Sequence, residues 1–344
     1  MAVRVLLLIN ANKNPVRGAQ VRLAMPVILT LIAMGVTSDA CAQPGTQPYP
    51  NKPIRLIIAS AAGGGIDLLA RIMVPRFSEL MGQTVVIDNR PGAGGTIGYE
   101  YGVRATPDGY TLTIISSTYT VNPSFYALKF DAVADCAPIS QLVKFPHVVV
   151  VHPSVAAKNI RELIALAKVS PGKLTFGSSG QGAIIHLSTE LFMEKAGIKM
   201  THVPYRGGGP ALNDVIAGQI SLVFAPPQTG LPQAKAGRVR ALAVTTKERL
   251  AAEPDIPSMA ESGLAGFDLA SWHALIGPKG LSPAVVERVN REIVKTLNTR
   301  EVEERMRADG VTPASSTPGE LRARLQHEVP LWKDVVARAR IRVD

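Results

Sequence analysis

Short apolar runs rich in β-branched residues alternate with helical hydrophobic periodicity along most of the chain. After the first of these runs, Ile66, Leu69, Ala70, Met73, Val74 and Phe77 recur at the spacing of one helix face. This alternation is typical of a mainly parallel sheet covered by helices on both faces. The predicted strands are Ile54–Ala59, Thr84–Asp88, Thr111–Ser116, Lys173–Gly177, Thr201–Pro204, Ile220–Phe224 and Ala241–Thr245.

Helix-start signals mark several of the intervening segments. Asn159 is followed by Glu162, and Thr317 by Glu320, at the spacing of a capping box. Ser282-Pro283 opens a further helix, because proline fits the first helical position. Other helices are predicted through Tyr101, over Ala183–Lys195 and over Pro210–Ala217.

The strand and helix pattern restarts after His147–Val151, so the sequence predicts two α/β units. No long flexible linker joins them, and the chain would cross near Val148–His152 and again near Leu269–Ala274. A length of 344 residues also exceeds what a single core usually holds. We predict lobe 1 from residues 43–150 plus 271–344 and lobe 2 from residues 151–270.

The first 42 residues have the pattern of an export signal. Arg17 and Arg22 precede the apolar stretch Leu23–Val36, which is too short for a membrane span. Ala40-Cys41-Ala42 then supplies small residues for cleavage after Ala42. We therefore predict a signal peptide over residues 1–42 and a periplasmic mature protein. Lipidation of Cys41 is the less favoured alternative, because Ser38 is not apolar.

Composition excludes several classes of function. The content of 46% hydrophobic and 19% charged residues is that of a globular protein rather than a disordered one. Aromatic residues reach only 5%, too few for a stacking platform for nucleic acid. The net charge of +10 is spread along the chain, where it serves solubility or attracts an anionic ligand. Cys136 follows the predicted signal alone, so we expect a buried thiol and no disulfide.

The glycine clusters do not complete a nucleotide-binding motif. Glycine is replaced at the sixth position of each Gly-x-Gly-x-x-Gly frame, by Leu68, Ile97 and Leu212. A nucleophile elbow at Ser179 also fails, because Gln181 stands where that motif requires glycine. The six histidines lack the spacing of a metal site. We predict no catalytic residues, no cofactor and no metal.

Two glycine-rich turns nevertheless share a physical property. Gly63-Gly64-Gly65 and Gly180-Gln181-Gly182 each lead from a predicted strand into a predicted helix. A helix start exposes unpaired N–H groups at the positive end of the helix dipole. One such turn is often only a tight turn, but a pair, one in each lobe, suits a ligand with a carboxylate.

These turns belong to a series of motifs by which the mature chain closely resembles the Bug family, the extracytoplasmic solute receptors of tripartite tricarboxylate transporters. The matching motifs are Tyr49-Pro50-Asn51-Lys52-Pro53-Ile54-Arg55, Gly63-Gly64-Gly65-x-Asp67-x-x-Ala70-Arg71, Asn89-Arg90-Pro91-Gly92-Ala93-Gly94-Gly95, Pro107-Asp108-Gly109-Tyr110-Thr111-Leu112, Gly177-Ser178-Ser179-Gly180-x-Gly182-x-x-x-His186-Leu187, His202-Val203-Pro204-Tyr205-Arg206-Gly207-Gly208 and Ala241-Leu242-Ala243-Val244-Thr245.

The resemblance implies an α/β fold like that of type II periplasmic binding proteins, in which two lobes close on a carboxylate. It also implies membrane transporter subunits as partners, and we expect a monomer that binds no nucleic acid. Carried over onto this chain, the ligand-binding residues are Ser60, Gly63, Gly64, Gly65, Asp67, Ser117, Thr118, Asn122, Ser179, Gly180, Gly182, Ala183, His186, Tyr205, Gly208 and Ala225.

Several roles remain open at this stage. Asp67 either complements its helix dipole or bonds a ligand amine or hydroxyl group. His186 either packs under its helix, which we favour, or faces the pocket. For Trp272 we favour packing at the crossing between lobes. A receptor that presents its ligand to a membrane sensor kinase is the alternative function, whereas a transcription regulator would need a helix-turn-helix segment in place of the predicted signal.

Departures from the family pattern generate a prediction about the ligand. Ala59-Ser60 stands where the family often has proline and an aromatic residue, and Ile66, Ala183 and Ala225 replace common polar residues. We therefore expect a less polar pocket, in which an aromatic or aliphatic monocarboxylate binds at least as well as citrate or malate. Calorimetric titration checks this. Tight citrate binding without any response to apolar acids would contradict it.

Overall fold

Buried apolar strands build two sheets in the computed structural model, which describes residues 49–339. The predicted signal peptide over residues 1–42 lies outside the described residues. The strands are β1 (Ile54–Ile58), β2 (Val85–Asn89), β3 (Thr111–Ser116), β4 (Cys136–Pro146), β5 (Val148–Val151), β6 (Thr175–Ser178), β7 (Thr201–Pro204), β8 (Leu222–Ala225), β9 (Arg240–Val244), β10 (Ala270–Pro278) and β11 (Thr312–Pro313). The helices are α1 (Gly65–Met81), α2 (Thr96–Val103), α3 (Thr118–Val121), α4 (Ile160–Val169), α5 (Ile184–Ala196), α6 (Gly208–Ile216), α7 (Pro227–Lys235), α8 (Pro283–Leu297), α9 (Arg300–Ala308) and α10 (Pro318–Ala339).

Each sheet combines a parallel part with antiparallel strands. The first has six strands in the order β11-β4-β10-β3-β1-β2, and the second has five in the order β7-β6-β8-β5-β9. As the alternation predicts, β1 is parallel to β2 and β3, and β6 is parallel to β7 and β8. However, β10 and β5 are antiparallel to their neighbours, because they carry the chain back between the sheets. The sheets are therefore mixed rather than mainly parallel.

The two sheets are joined at a narrow crossing. β4 ends at Pro146 in the first sheet and β5 begins at Val148 in the second, so His147 alone separates them. The chain returns with β10, which pairs with β4 along its whole length. We call His147 together with the β4–β10 pair the hinge. The expected lobe boundary at residues 150/151 falls inside β5, and the division of the chain into domains stays a prediction.

Helix α10 contributes to the cores of both lobes. Leu321 and Leu325 pack in a core cluster of the first lobe, and Val336 packs in the core around the second sheet. Between these contacts, the Glu328 carboxylate accepts the indole N–H of Trp272 at 3.1 Å. Trp272 is buried beside the hinge, which confirms its predicted packing role.

Local helix-start signals proved reliable. The Asn159 side chain accepts the Glu162 amide at 2.9 Å, and Thr317 Oγ1 accepts the Glu320 amide at 3.2 Å. Sequence patterns missed α7, because Gly230 and an internal proline lower the helical propensity of a segment that tertiary packing nevertheless holds.

Residues 49–339 include no helix long and apolar enough to cross a membrane. Cys136 is buried as predicted, and burial raises the pKa of its thiol to about 11. Within the same part of the chain, no three His, Cys, Asp or Glu side chains converge as a metal site would require.

Candidate ligand-binding site

A small cavity of about 60 Å³ lies between the two lobes. Its wall contains hydroxyl groups, imidazoles, apolar side chains and backbone, but no Lys, Arg, Asp or Glu. The residues that line it are Ser60, Gly64, Gly65, Ile66, Ser116, Ser117, Thr118, Phe145, His147, Ser179, Ile184, Ile185, Gly208, Pro226, Ser271 and His273. An anion in this cavity would therefore depend on neutral donors.

Hydrogen bonds across the cleft hold the lobes in a closed arrangement. Thr118 Oγ1 accepts the Ile184 amide at 3.1 Å, and Gln228 Nε2 donates to the Gly65 carbonyl at 3.3 Å. A Cβ added to Gly65 would lie 3.0 Å from the Pro226 Cβ atom of the other lobe. Glycine at this position therefore permits the close approach of the two lobes.

A second set of contacts closes the cleft beside the glycine-rich turns. Across the cleft, the Tyr126 hydroxyl donates to the Gln181 carbonyl at 2.7 Å, whereas within the first lobe the Asn122 side chain donates to the Gly94 carbonyl at 3.2 Å. Gly180 has φ +136° and approaches Gly94 so closely that an added Cβ would lie 3.1 Å from the Gly94 Cα. Gly180 thus serves lobe contact, Asn122 holds the Gly94 turn within its own lobe, and neither residue lines the cavity.

The start of α1 leaves two amides available at the cavity. Asp67 Oδ2 accepts the Gly63 amide at 2.9 Å and also the Arg71 guanidinium at 2.9 Å. Burial alone would raise the pKa of Asp67, but these two donors outweigh it and hold the pKa below its usual value. The amides of Gly65 and Ile66 make no hydrogen bond to any residue in 49–339. Asp67 therefore fixes the turn, and the amides of Gly65 and Ile66 remain for a ligand.

The start of α5 repeats this arrangement in the other lobe. His186 Nδ1 accepts the Gly182 amide at 3.2 Å, four residues earlier, just as Asp67 accepts that of Gly63. The Ala183 amide bonds to the Gly180 carbonyl at 3.2 Å. Because the Ile184 amide is given to Thr118, Ile185 is the first α5 residue whose amide has no partner among the described residues.

His186 is further held by a stacked partner. Its ring lies 3.9 Å from that of His202, nearly parallel, and its Nε2 lies 3.3 Å from Glu190 Oε1. His202 Nε2 in turn bonds to Ser178 Oγ at 2.7 Å. Burial first, and the neighbouring His186 second, lower the pKa of His202 to about 3. His186 therefore packs under its helix and supports the second turn, as we favoured.

A directed chain of hydrogen bonds crosses the hinge at the cavity floor. Ser188 Oγ donates to the Ile184 carbonyl at 2.7 Å, so His147 Nδ1–H donates to Ser188 Oγ at 3.3 Å. His147 Nε2 then accepts from Ser271 Oγ at 3.1 Å, and Ser271 accepts from Ser117 Oγ at 3.4 Å. Burial lowers the pKa of His147 to about 3, which keeps it neutral and preserves this direction.

His273 differs from the other histidines of the cleft. It lines the cavity with only 4% of its surface exposed, yet neither ring nitrogen forms a hydrogen bond with any described residue. Burial lowers its pKa to about 3, against a smaller opposing effect of the Trp272 backbone. The Ser60 hydroxyl, another group on the cavity wall, is also buried and has no partner in the described part of the chain.

The structure brings together some of the residues expected at the site and separates others. The expected residues on the cavity wall are Ser60, Gly64, Gly65, Ser117, Thr118, Ser179 and Gly208. The expected residues away from the wall are Gly63, Asp67, Asn122, Gly180, Gly182, Ala183, His186, Tyr205 and Ala225. No bound solute tests either group, so direct ligand contact stays a prediction for all of them.

Sequence reasoning missed the floor and the apolar part of the wall. The missed residues are Ser116, Phe145, His147, Ile184, Ile185, Pro226, Ser271 and His273, whereas Ile66 was already expected to make the pocket less polar. A signal was present for some of them: Pro146-His147 and Ser271-Trp272-His273 put polar residues into otherwise apolar crossing segments. The apolar residues Ile184 and Ile185 gave no such signal, because they match the periodicity of a buried helix face.

Two α/β lobes that close on a small internal cavity define a solute-binding protein. Residues 69–340 match the profile of the tripartite tricarboxylate transporter family receptor, TctC. The chain belongs to this family, whose members are periplasmic receptors rather than enzymes. It is also similar to protein BugT of Bordetella pertussis, with 32% identity over 319 residues that cover 91% of this chain and 97% of BugT.

Solved structures agree with this assignment. The periplasmic binding protein BugD has a TM-score of 0.83 and 31% identity, covering 86% of this chain and 99% of BugD. A protein of R. palustris solved with adipate gives the same TM-score of 0.83, identity of 31% and coverages of 86% and 99%. MatC of Rhodopseudomonas palustris, solved with malate, has a TM-score of 0.79 and 26% identity, covering 84% of this chain and all of MatC.

Burial of neutral histidines predicts a pH dependence of stability. The pKa values of His147, His202 and His273 are lowered to about 3, whereas an unfolded histidine titrates near 6.5. As pH falls below about 6.5, the unfolded chain binds protons that the folded chain excludes. The free energy of unfolding should therefore fall by about 1.4 kcal/mol per pH unit for each histidine.

Thermal unfolding between pH 7.5 and pH 5 measures this effect, in a window above the titration of most carboxylates. A His202→Phe variant should lose part of the pH dependence, and less than a His147 or His273 variant would, because His202 is only partly buried. A melting temperature that stays level or rises towards pH 5 would contradict the neutral, buried state of these histidines.

Proposed function

We propose that this chain is an exported receptor that captures a small carboxylate in the periplasm and delivers it to the membrane subunits of a tripartite tricarboxylate-type transporter. One observation carries the choice of ligand class. Ile66 and Ile185, the second residues of α1 and α5, both line one shared cavity, and the amide of each has no hydrogen-bond partner among residues 49–339. Two helix starts from opposite lobes are a fitting receptor for one carboxylate.

The charge of the cavity wall supports a single carboxylate. Its imidazoles, His147 and His273, are neutral at physiological pH because burial lowers the pKa of each to about 3. With no cationic side chain on the wall, helix dipoles supply the positive potential, which suits one negative charge better than two or three. The adipate and malate of the related structures share the carboxylate group but carry two of them, so a preference for a single carboxylate would set this receptor apart from those proteins.

The size of the cavity favours a short aliphatic acid. Its volume of about 60 Å³ is well below the roughly 150 Å³ cavity that holds benzene in another protein. Of the two monocarboxylate types expected from the sequence, the aliphatic one fits this closed arrangement. An aromatic acid would require the lobes to part.

Export of the receptor rests on the predicted signal peptide. Cleavage after Ala42 would give a mature protein that begins at Gln43. N-terminal sequencing of the protein recovered from the periplasm of an expressing bacterium tests this directly. Recovery of the uncleaved chain from the cytoplasm alone would contradict it.

Removal of one clamp amide should weaken carboxylate binding without unfolding the protein. Proline at Ile66 removes the second N–H of α1, and proline is tolerated in the first turn of a helix. A charge-assisted hydrogen bond contributes about 1.5–3 kcal/mol, so the dissociation constant should rise by about 10- to 100-fold. Calorimetric titration with a short aliphatic acid measures this change.

Two controls isolate the amide. Ile66→Ala removes the side chain but retains the N–H, and it should bind far more tightly than Ile66→Pro. Glu301→Pro places proline at the equivalent second position of α9, on an exposed residue, and should bind like the unmodified protein. Equal affinity of Ile66→Pro and Ile66→Ala would exclude this amide from the clamp.

A further inference from the structure

We propose that His273 reads a second oxygen on the ligand, so that the solute is a short aliphatic carboxylate that also carries a hydroxyl or carbonyl group. This inference rests on the proposed function, because it assigns the carboxylate to the helix starts. It adds a specificity-determining residue, His273, on the hinge strand β10.

The first argument is the missing partner of the imidazole. Buried polar groups in native proteins are nearly always hydrogen-bonded, and a buried donor without a partner is costly. The other imidazole on the cavity wall, His147, is fully hydrogen-bonded, because both of its nitrogens bond to serine hydroxyls. Both nitrogens of His273 lack a hydrogen bond within residues 49–339, and this residue lines the cavity, where a ligand could supply the partner.

The second argument is the surroundings of the ring. Phe145 lies against it at a centroid distance of 4.7 Å, which fixes the imidazole without satisfying it. In the first sheet, His273 on β10 is paired with Ser116 on β3 and with Val143 on β4. The ring is therefore carried by a buried strand with neighbours on both sides. A rigidly held polar group is suited to discriminate between ligands.

The chemistry of a neutral imidazole selects the kind of group it would bind. It offers one N–H donor and one nitrogen acceptor, which match a hydroxyl group or, through the donor, a carbonyl oxygen. The unpartnered Ser60 hydroxyl on the same wall can donate to or accept from the same oxygen. A second carboxylate is a poor match, because no cationic side chain lines the cavity.

A site built to bond an oxygen should reject the analogue that lacks it. We would titrate the purified protein with propionate, 2-hydroxypropionate, 3-hydroxypropionate and 2-oxopropionate. At least one oxygenated acid should bind ten or more times as tightly as propionate. If all four acids fail to bind, both this inference and the proposed function are wrong. If propionate binds and no oxygenated acid binds more tightly, this inference alone is wrong.

Variants at His273 decide whether that residue makes the distinction. His273→Phe should lower the affinity for the oxygenated acid more than that for propionate, so that the ratio of the two affinities falls towards one. His273→Gln, which keeps a donor and an acceptor, should restore part of the preference. His327→Phe, at an exposed histidine of α10, is the matched control and should behave like the unmodified protein.

Two results would overturn the assignment. An equal loss of affinity for propionate and for the oxygenated acid in His273→Phe would mean that His273 holds the carboxylate itself. An unchanged preference in a folded His273→Phe protein would mean that another group reads the second oxygen. Circular dichroism and thermal unfolding of each variant establish that it is folded.

Discussion

The absence of charged side chains from the cavity wall is the constraint on which this site depends. A carboxylate moved out of water into a buried site needs several donors to replace its hydration. Here the donors are backbone amides at two helix starts, and the wall adds neutral hydroxyls and imidazoles. The protein therefore has to hold its backbone accurately at both positions and to bring the two lobes close together.

The same local device holds the backbone in each lobe. Asp67 and His186 occupy the third position of their helices, and each accepts the amide of the glycine four residues before it. This bond resembles half of a capping box. It uses one amide and fixes the turn. The amides of Gly65 and Ile66 in α1 and of Ile185 in α5 then lack a partner among residues 49–339. Asp67 and His186 thus support the two turns, whereas their direct contact with a ligand stays a prediction.

Closure depends on contacts that need small residues and a common hinge. Gly65 and Gly180 allow backbone from opposite lobes to approach, while Thr118 bonds to the start of α5. At the floor, the hydrogen bonds through His147 join the first sheet, the crossing and α5. Helix α10 packs on both lobes behind them. The same segments line the cavity and join the two lobes. We therefore expect ligand binding and lobe closure to be coupled.

Much of this architecture could be predicted from local sequence signals. The glycine-started helices and the capped helices at Asn159 and Thr317 follow from short-range patterns, as does the parallel part of each sheet. The hinge could not be predicted, because β4 and β10 are defined by a pairing more than a hundred residues apart in sequence. The bond between Gly182 and His186 could not be predicted for a similar reason: the glycine spacing shows a turn, but only the position of the His186 ring shows that the Gly182 amide is taken.

The central claim is that one carboxylate is held by amides from both helix starts. A crystal structure of the protein with its tightest-binding acid tests this most directly. The account predicts carboxylate oxygens within about 3 Å of the amide nitrogens of Ile66 and Ile185. A carboxylate that pairs instead with a lysine or arginine side chain, or that lies outside the cavity between the lobes, would contradict it.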